Sequence, residues 1–203
     1  MSNNVVVVKG CNIVDREMTP TRYAIYRANE RRRFESFKSS IHARLIFKVQ
    51  SGKIENAICQ RNYRNIFLCG KPITENGCAV FATAQALYGA NPTIKQVQEI
   101  VSAIESKDYY YPGRGVWWHW FSNFARRAEH WQDVLDAIGN GKKVVVLLNH
   151  DYMKSERNHF ATIVGVLANK RRLVLTKGDK LVYIPIESVN KMIVASPWIF
   201  NEG

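Results

Sequence analysis

The chain has 203 residues, of which 46% are hydrophobic and 11% aromatic, a composition that excludes an intrinsically disordered protein and allows a sizeable buried core. Its 29 Lys and Arg against 17 Asp and Glu give a formal charge of +12, which predicts attraction to polyanions. No apolar run approaches the length of a membrane span and no secretion signal is recognisable, so we expect a cytoplasmic or phage-associated protein.

The basic excess is concentrated near the N-terminus. Residues 1–77 hold 14 Lys and Arg against 6 Asp and Glu, whereas residues 78–203 hold 15 against 11. The run Arg31–Arg33 is interleaved with aromatic residues in the manner of nucleic-acid-binding patches. These aromatic residues are Tyr23, Tyr26, Phe34 and Phe37. A solvated helix face is the more common explanation of such a run, and the sequence leaves both open.

The first third of the chain contains few long periodic segments. Short apolar or alternating runs predict strands at Val5–Val8, Ala43–Gln50 and Asn65–Cys69. The segment Ser51–Lys53 supplies a turn after the second strand, and Gly70 breaks the third. The segment Arg22–Lys38 is interpreted as helix and loop. We expect residues 1–69 to form a basic N-terminal extension of unknown type, packed on the rest of the chain.

From Cys78 onward the pattern becomes helical and then strand-like. Small and apolar residues at helical spacings predict a helix from Cys78 to a stop signal at Gly89, and Pro92 and Thr93 begin a second helix with one apolar stripe. Further segments are a loop at 109–115, helices at 117–130 and 131–138, and strands at 143–149, 159–167, 172–176 and 180–185. Helices first and antiparallel strands later predict the α+β class.

Cys78 and His159 are the residues that point to chemistry. Cys78 opens the helix of small residues, and His159 stands at the head of an apolar strand. A thiol at a helix N-terminus is acidified by unpaired backbone N–H groups, and a nearby imidazolium stabilises the thiolate further. The pair therefore predicts a cysteine nucleophile that is active at neutral pH.

This arrangement resembles the papain-like cysteine peptidase fold. The motifs that carry the resemblance are Gly77-Cys78 at the head of a helix, the strand within Gly141–Leu148 and the segment Asn158–Val166. The chain is most similar to the branch of bacteriocin-processing (double-glycine leader) peptidases and their free-standing bacterial and phage relatives. The resemblance covers residues 70–200, and we predict a domain at residues 70–203. It implies a helical half headed by Cys78, packed on an antiparallel sheet half that carries His159.

The resemblance implies a role for each residue of the site. Cys78 is expected to be the nucleophile and to supply one oxyanion donor through its backbone N–H, with His159 as the general base and then the acid. The side-chain amide of the family's oxyanion hole lies six positions upstream, which here is Pro72. Asn76 is the nearest amide and takes that role in our prediction, although it equally fits a helix cap. The amides further upstream are Asn62 and Gln60.

The residue that orients the histidine is less clear from the sequence. The family's position falls on Leu175 and Thr176, and Asp179 is the first carboxylate beyond it. We take Asp179 as the third catalytic residue, reaching His159 if the strand bulges at Gly178. Three alternatives remain open. Thr176 takes that role, Asp179 is an ordinary residue of a hairpin turn, or the site has no third residue.

Other candidate residues fit structural roles better. The thiols of Cys11, Cys59 and Cys69 are interpreted as structural, and their spacings match no metal site, so we expect neither metal nor cofactor. His119 falls in an aromatic run and is expected in the core. His150 and Asp151 lack a third ligand at a sensible spacing. The loop Tyr109–Gly115 either lines the groove and stacks on glycan or peptide, or is solvated.

Three functions are compatible with these residues. The first is a thiol hydrolase that cleaves a peptide or isopeptide amide bond, in a protein or in bacterial cell-wall peptide. The second is a catalytically inactive papain-like scaffold that binds nucleic acid or an acidic partner through its basic N-terminal third. The third is acyl transfer by the same thiol, which analogy of fold alone does not separate from hydrolysis.

Overall fold

A six-stranded antiparallel sheet forms the centre of the structure, a computed structural model that describes residues 6–13, 19–42, 54–111, 115–153, 157–167 and 171–201. The predicted strand 43–50, the turn 51–53, Val5 and the middle of the 109–115 loop lie outside the described residues. None of the described helices is both long enough and apolar enough to cross a membrane.

Seven helices and twelve strands are described. The helices are α1 Pro20–Ser39, α2 Ile73–Asn76, α3 Cys78–Tyr88, α4 Ile94–Ser106, α5 Trp131–Gly139, α6 His150–Met153 and α7 Ile186–Met192. The strands are β1 Val6–Val8, β2 Cys11–Ile13, β3 Phe67–Leu68, β4 Lys71–Pro72, β5 Tyr110–Tyr111, β6 Gly115–Val116, β7 Ala125–Arg127, β8 Val144–Leu148, β9 His159–Leu167, β10 Arg172–Lys177, β11 Lys180–Pro185 and β12 Trp198–Phe200. This mixture of helices with an antiparallel sheet agrees with the α+β class.

The central sheet has the order β11-β10-β9-β8-β12-β7 and is covered on both faces. Strand β8 is an uninterrupted apolar run because both of its faces are buried. Val145 and Leu147 belong to a core shared with α3 and α4, whereas Val144, Val146 and Leu148 belong to a second core on the opposite face. Helices α5 and α7 contribute to that second core.

Helix α3 is buried almost all round, which its small residues make possible. Its Thr83 hydroxyl accepts a hydrogen bond from the Trp120 indole at 2.8 Å, and the Thr162 hydroxyl of β9 donates to the Ala82 carbonyl at 3.2 Å. These bonds satisfy polar groups in an otherwise apolar interior, where an unpaired group is costly. They fix the axis of α3 against strand β9, and with it the position of Cys78.

The described parts of the first 69 residues share the cores of the remaining chain. Val8, Ile13, Tyr63 and Leu68 are buried in the core that contains α3 and α4. On the other face of the sheet, Phe37 near the end of α1 is fully buried against Trp131 of α5, with ring centroids 5.0 Å apart. These segments are therefore structural parts of the fold.

The helix predicted at 117–130 is wrong. Residues Trp118–Asn123 form a 3₁₀ helix, and β7 then pairs with β12 at the edge of the sheet. Consecutive aromatic residues give no 3.6-residue period, because Trp120, Phe121 and Phe124 are all buried in the same core. Strand β12, which creates this pairing, is too short for periodicity to reveal it.

Other elements differ in detail from the prediction. The segment Arg22–Lys38 is helical throughout, within α1. The strand predicted at Asn65–Cys69 is reduced to β3, which pairs with β4 across Cys69-Gly70. The loop 109–115 contains the paired strands β5 and β6. The helices α3, α4 and α5 and the strands β8 to β11 are confirmed within one or two residues.

Candidate active site

Cys78 is placed by a tight connection between α2 and α3. The Gly77 N–H donates to the Ile73 carbonyl at 2.8 Å, and α3 begins at the next residue. A Cβ atom at Gly77 would lie 2.4 Å from the Ile73 carbonyl oxygen, closer than real Cβ contacts allow. Glycine is therefore required immediately before the cysteine, by steric crowding.

His159 is the first residue of β9 and faces Cys78 because α3 packs on this strand. It pairs with Leu148 at the end of β8. In the preceding connection, the Asn158 side-chain oxygen accepts the His150 backbone N–H at 3.1 Å. This bond links His150 near the end of β8 to Asn158, the residue immediately before the histidine.

Cys78 and His159 line one small cavity. Its other polar side chains are Gln60, Gln85 and Thr176, and Phe160 and Gly178 also line it. Its free volume is about 10 Å³, room for about one water molecule. Both side chains are also partly exposed to solvent.

The environment of Cys78 keeps its thiol protonated, contrary to the expected acidification. Burial raises the pKa of the Cys78 thiol above its ordinary value. The nearby backbone N–H groups of Phe160, Ala79 and Cys78, together with the positive charge of Arg157, lower the pKa and offset part of this effect. The helix N-terminus thus acts in the expected direction, but desolvation is larger.

His159 is neutral in the same cavity. Burial lowers the pKa of its imidazole, and the positive charge of Lys177 lowers it further. Among the described residues, no hydrogen bond joins the His159 ring to another side chain. The resting pair is therefore a neutral thiol beside a neutral imidazole, so the predicted imidazolium is absent in this state.

We expect the alkylation rate of Cys78 to follow this raised pKa. In a chain with Cys11, Cys59 and Cys69 replaced by Ser, its reaction with iodoacetamide should still accelerate as the pH passes 9.0, the thiol's ordinary value, because only the thiolate attacks. A chain in which Cys59 is the only remaining cysteine is the control for how the reaction of an exposed thiol with iodoacetamide depends on pH. A plateau below about pH 7.5, typical of a cysteine acidified by an ion pair, would contradict this environment.

Asp179 lies at a hairpin turn and contacts a different segment. Lys177 pairs with Lys180, so Gly178 and Asp179 form a two-residue turn in which Gly178 has a φ of +59°. The Asp179 carboxylate accepts the Gln60 backbone N–H at 2.6 Å and lies 3.7 Å from the Arg61 guanidinium. The strand does bulge, but between Val174 and Leu175. The contacts of Asp179 therefore position Gln60, and none of those described orients His159.

Replacing Asp179 with Asn should loosen the segment that covers the cavity. Because the carboxylate is one-third exposed, its two interactions are partly screened, and we expect about a fivefold faster reaction of Cys78 with the bulky disulfide reagent DTNB, or about 1 kcal/mol. The background is Cys59→Ser with Cys69→Ser, since both thiols are exposed. Glu187→Gln, which breaks the exposed Arg171–Glu187 pair, is the matched control. Equal DTNB reaction rates for Asp179→Asn and Glu187→Gln would show that other contacts hold this segment over the cavity.

Thr176 occupies the position that the resemblance implies for the orienting residue. It lines the cavity with His159, and its hydroxyl oxygen accepts the Thr162 N–H at 3.0 Å. A hydroxyl that accepts one hydrogen bond retains its own proton for donation. Thr176 is thus placed beside the histidine, whereas Asp179 is directed toward Gln60 and Arg61.

The amide assignments also change. The Asn76 side-chain nitrogen donates to the Leu68 carbonyl at 3.3 Å, and Asn76 does not line the cavity. Gln60, eighteen positions before Cys78, lies in the cavity instead. Sequence spacing does not reveal this, because the hairpin of β3 and β4 lies between the two residues and shortens the distance in space. Gln60 is the functional candidate to which sequence reasoning gave least weight.

The remaining candidates have structural surroundings. His119 is buried, with Tyr26 edge-on at 5.3 Å, as expected for a core residue. His150 and Asp151 are exposed and lie 3.0 Å apart. Within the described ranges, no group of three or more His, Cys, Asp or Glu side chains is arranged to hold a metal ion. The four cysteines are free thiols.

No family model matches this chain, and no curated protein or solved structure matches it either.

Proposed function

We propose that this chain is a papain-like thiol hydrolase that cleaves a peptide or isopeptide amide bond. The observation that carries the proposal is the shared cavity of Cys78, at the start of α3, and His159, at the start of β9. A second feature supports it, because the backbone N–H of Phe160, the residue after the histidine, favours the thiolate of Cys78. The packing of α3 and α4 on an antiparallel sheet supports the proposal, since the resemblance implies a helical half and a sheet half.

The proposed reaction begins from the neutral pair. The Cys78 sulfur attacks the carbonyl carbon of the amide while His159 accepts the thiol proton. His159 then gives that proton to the amide nitrogen, the C–N bond breaks, and the amine leaves. Water attacks the resulting thioester, His159 removes a proton from this water, and the thiol is restored as the carboxylic acid product departs.

Two groups are positioned to stabilise the oxyanion. One is the backbone N–H of Cys78 at the N-terminus of α3, and the other is the side-chain amide of Gln60. Because the cavity holds about one water molecule, substrate entry requires the segment of Ile58 and Gln60 to move aside. The contacts of Asp179 with this segment then regulate access to the thiol.

The chemistry of the site does not select one substrate. A protein substrate and the peptide stems of bacterial cell wall both present amide bonds. The net charge of +12 favours an anionic surface around the scissile bond in either case.

The test uses an electrophile that reacts preferentially in a thiol-hydrolase site, an epoxysuccinyl peptide, with labelled positions read by mass spectrometry. Cys78 should be modified at least tenfold faster than the exposed thiols Cys59 and Cys69, despite its burial. Cys78→Ser should lose this labelling and any associated hydrolysis. Modification of Cys78 no faster than that of Cys59 would exclude it as the privileged nucleophile.

A second candidate is an inactive papain-like scaffold with a binding function. It is favoured by the absence, among the described residues, of a hydrogen bond that orients the His159 ring, and by the raised pKa of the Cys78 thiol. An unoriented imidazole usually costs rate without abolishing catalysis. Selective epoxide labelling supports the hydrolase, and its absence together with salt-dependent polyanion binding supports the scaffold.

A further inference from the structure

A large cavity lies between α1 and the 3₁₀ helix, and it shares no lining residue with the cavity of Cys78. Its volume is about 430 Å³, within the range of small-molecule sites. We call it the aromatic cavity, and its lining includes Tyr23, Tyr26, Arg27, Tyr111, Trp117 and Trp118. No acidic side chain lines it among the described residues.

The rings of this cavity form a preorganised group with an exposed edge. Trp117 contacts Tyr23 edge-on at 5.6 Å and Tyr111 in a tilted arrangement at 5.9 Å. Tyr111 is 47% exposed beside the cavity. A half-exposed ring packed on a second ring is suited to stack on a planar ligand.

The cationic side of the cavity comes from α1. This helix carries six basic residues against two acidic ones, Glu30 and Glu35. Glu30 is buried and neutralised by Arg127 and Arg33, so it does not offset the exposed positive charge. Arg27 lies in the cavity wall, where its guanidinium donates to the Tyr23 hydroxyl at 3.3 Å.

The positive surface continues beyond the aromatic cavity. A second cavity of about 580 Å³ shares Arg27 and Trp118 with it and adds Arg31 and Arg32. Glu30 and the exposed Glu35 also line it, so its three arginines outnumber its two carboxylates by one. The two cavities together follow α1 as a groove with stacking rings at one end and guanidinium groups along its length. A stacking surface combined with a cationic groove that follows the backbone is suited to bind a single-stranded nucleic acid.

We propose that this groove binds single-stranded nucleic acid, with a base stacked on Tyr111 in the aromatic cavity and the adjoining phosphates on Arg27, Arg31 and Arg32. In this proposal the aromatic rings recognise the base by stacking, and the guanidinium groups bind the phosphates. An acidic peptide or an anionic glycan would use only the charges, so those ligands are the alternatives that the experiment separates.

The test measures fluorescence anisotropy of labelled 12-mers of oligo-dT and oligo-U against an abasic 12-mer with the same phosphates. At least one of the two base-containing strands should bind at least fivefold tighter than the abasic strand. Tyr111→Ala should weaken that binding about 5-fold to 100-fold and leave the abasic strand unchanged. Whichever of oligo-dT and oligo-U binds more tightly indicates whether the preferred strand is DNA or RNA.

The charged residues have a separate signature. Arg27→Ala with Arg31→Ala should weaken all three strands and reduce the salt slope of binding by about 0.7 for each phosphate that is no longer neutralised. Matched controls are Tyr183→Ala and Arg172→Ala, which alter an exposed ring and an exposed arginine on the other edge of the sheet. Both should bind as the unaltered chain does.

Several outcomes would overturn the proposal. Equal affinity for the abasic strand, for heparin or for a poly-glutamate peptide would show that charge alone is recognised. Equal effects of Tyr111→Ala and Tyr183→Ala would remove the stacking role. The Cys78→Ser chain is measured in parallel, and unchanged binding there supports a site independent of thiol chemistry, so failure of the proposed hydrolysis and failure of this binding are distinguishable.

Discussion

Replacing His159 with Ala is expected to slow acylation of Cys78 by about 10²-fold to 10⁴-fold at pH 7, the usual contribution of a positioned general base. The reason lies in the neutral resting pair. Burial raises the pKa of the Cys78 thiol, so almost no thiolate exists at this pH without a base that removes the proton. Burial also lowers the pKa of His159, which leaves its imidazole able to accept that proton.

The measurement is the pre-steady-state acylation of Cys78 by p-nitrophenyl acetate, in the background lacking Cys11, Cys59 and Cys69. The deficit of His159→Ala should shrink as the pH rises beyond the ordinary thiol value, because hydroxide then removes the proton instead. His150→Ala, an exposed histidine in the preceding connection, should behave as the background does. A deficit that is equal at every pH would indicate a purely structural role for His159.

Glu30→Gln should lower the free energy of unfolding by about 3–5 kcal/mol, the usual cost of removing one partner from a buried ion pair. Glu30 and Arg127 are both largely buried, and their salt bridge joins α1 to strand β7. The Arg127 guanidinium also lies 3.9 Å from the centre of the Trp198 ring. Burial lowers the pKa of Arg127 to about 10, so it stays charged at neutral pH and is left without its counter-ion.

Urea denaturation at pH 7 measures this effect. Glu35→Gln, an exposed glutamate on the same helix, should change the unfolding free energy by no more than about 0.5 kcal/mol. Replacing Glu30 and Arg127 together with Met should restore much of the loss, because no charge is then buried. A loss under about 1 kcal/mol for Glu30→Gln would show that water reaches the pair.

Much of the fold is predictable where periodicity is strong. The apolar stripe of α4 and its start near Pro92 and Thr93 are visible in the sequence, and the structure has both, with the Thr93 side chain capping the helix by accepting the Gln96 N–H at 3.2 Å. Strands β8 to β11 are also predicted, since their apolar runs are bounded by clear turns. The segment 117–130 is not, because its consecutive aromatic residues are buried in one core without a helical period, and its strand depends on a distant partner.

The site shows the same division between local and distant information. The meeting of Cys78 and His159 follows from the resemblance, whereas the neutral state of both groups depends on burial, which no local pattern reveals. Gln60 enters the cavity only through the path of the chain around β3 and β4. Asp179 looks like a catalytic carboxylate by its place in the sequence, but the hairpin turn directs it to Gln60 and Arg61.

Helix α1 limits how this protein can mature. Many precursors gain activity when a protease excises their leading segment. Here, excision of residues up to 42 would take Phe37 from its contact with Trp131 and Glu30 from Arg127, opening both an apolar surface and an isolated cation. We therefore expect a chain cut after residue 42 to be less stable, and helix α1 to stay attached in the folded protein.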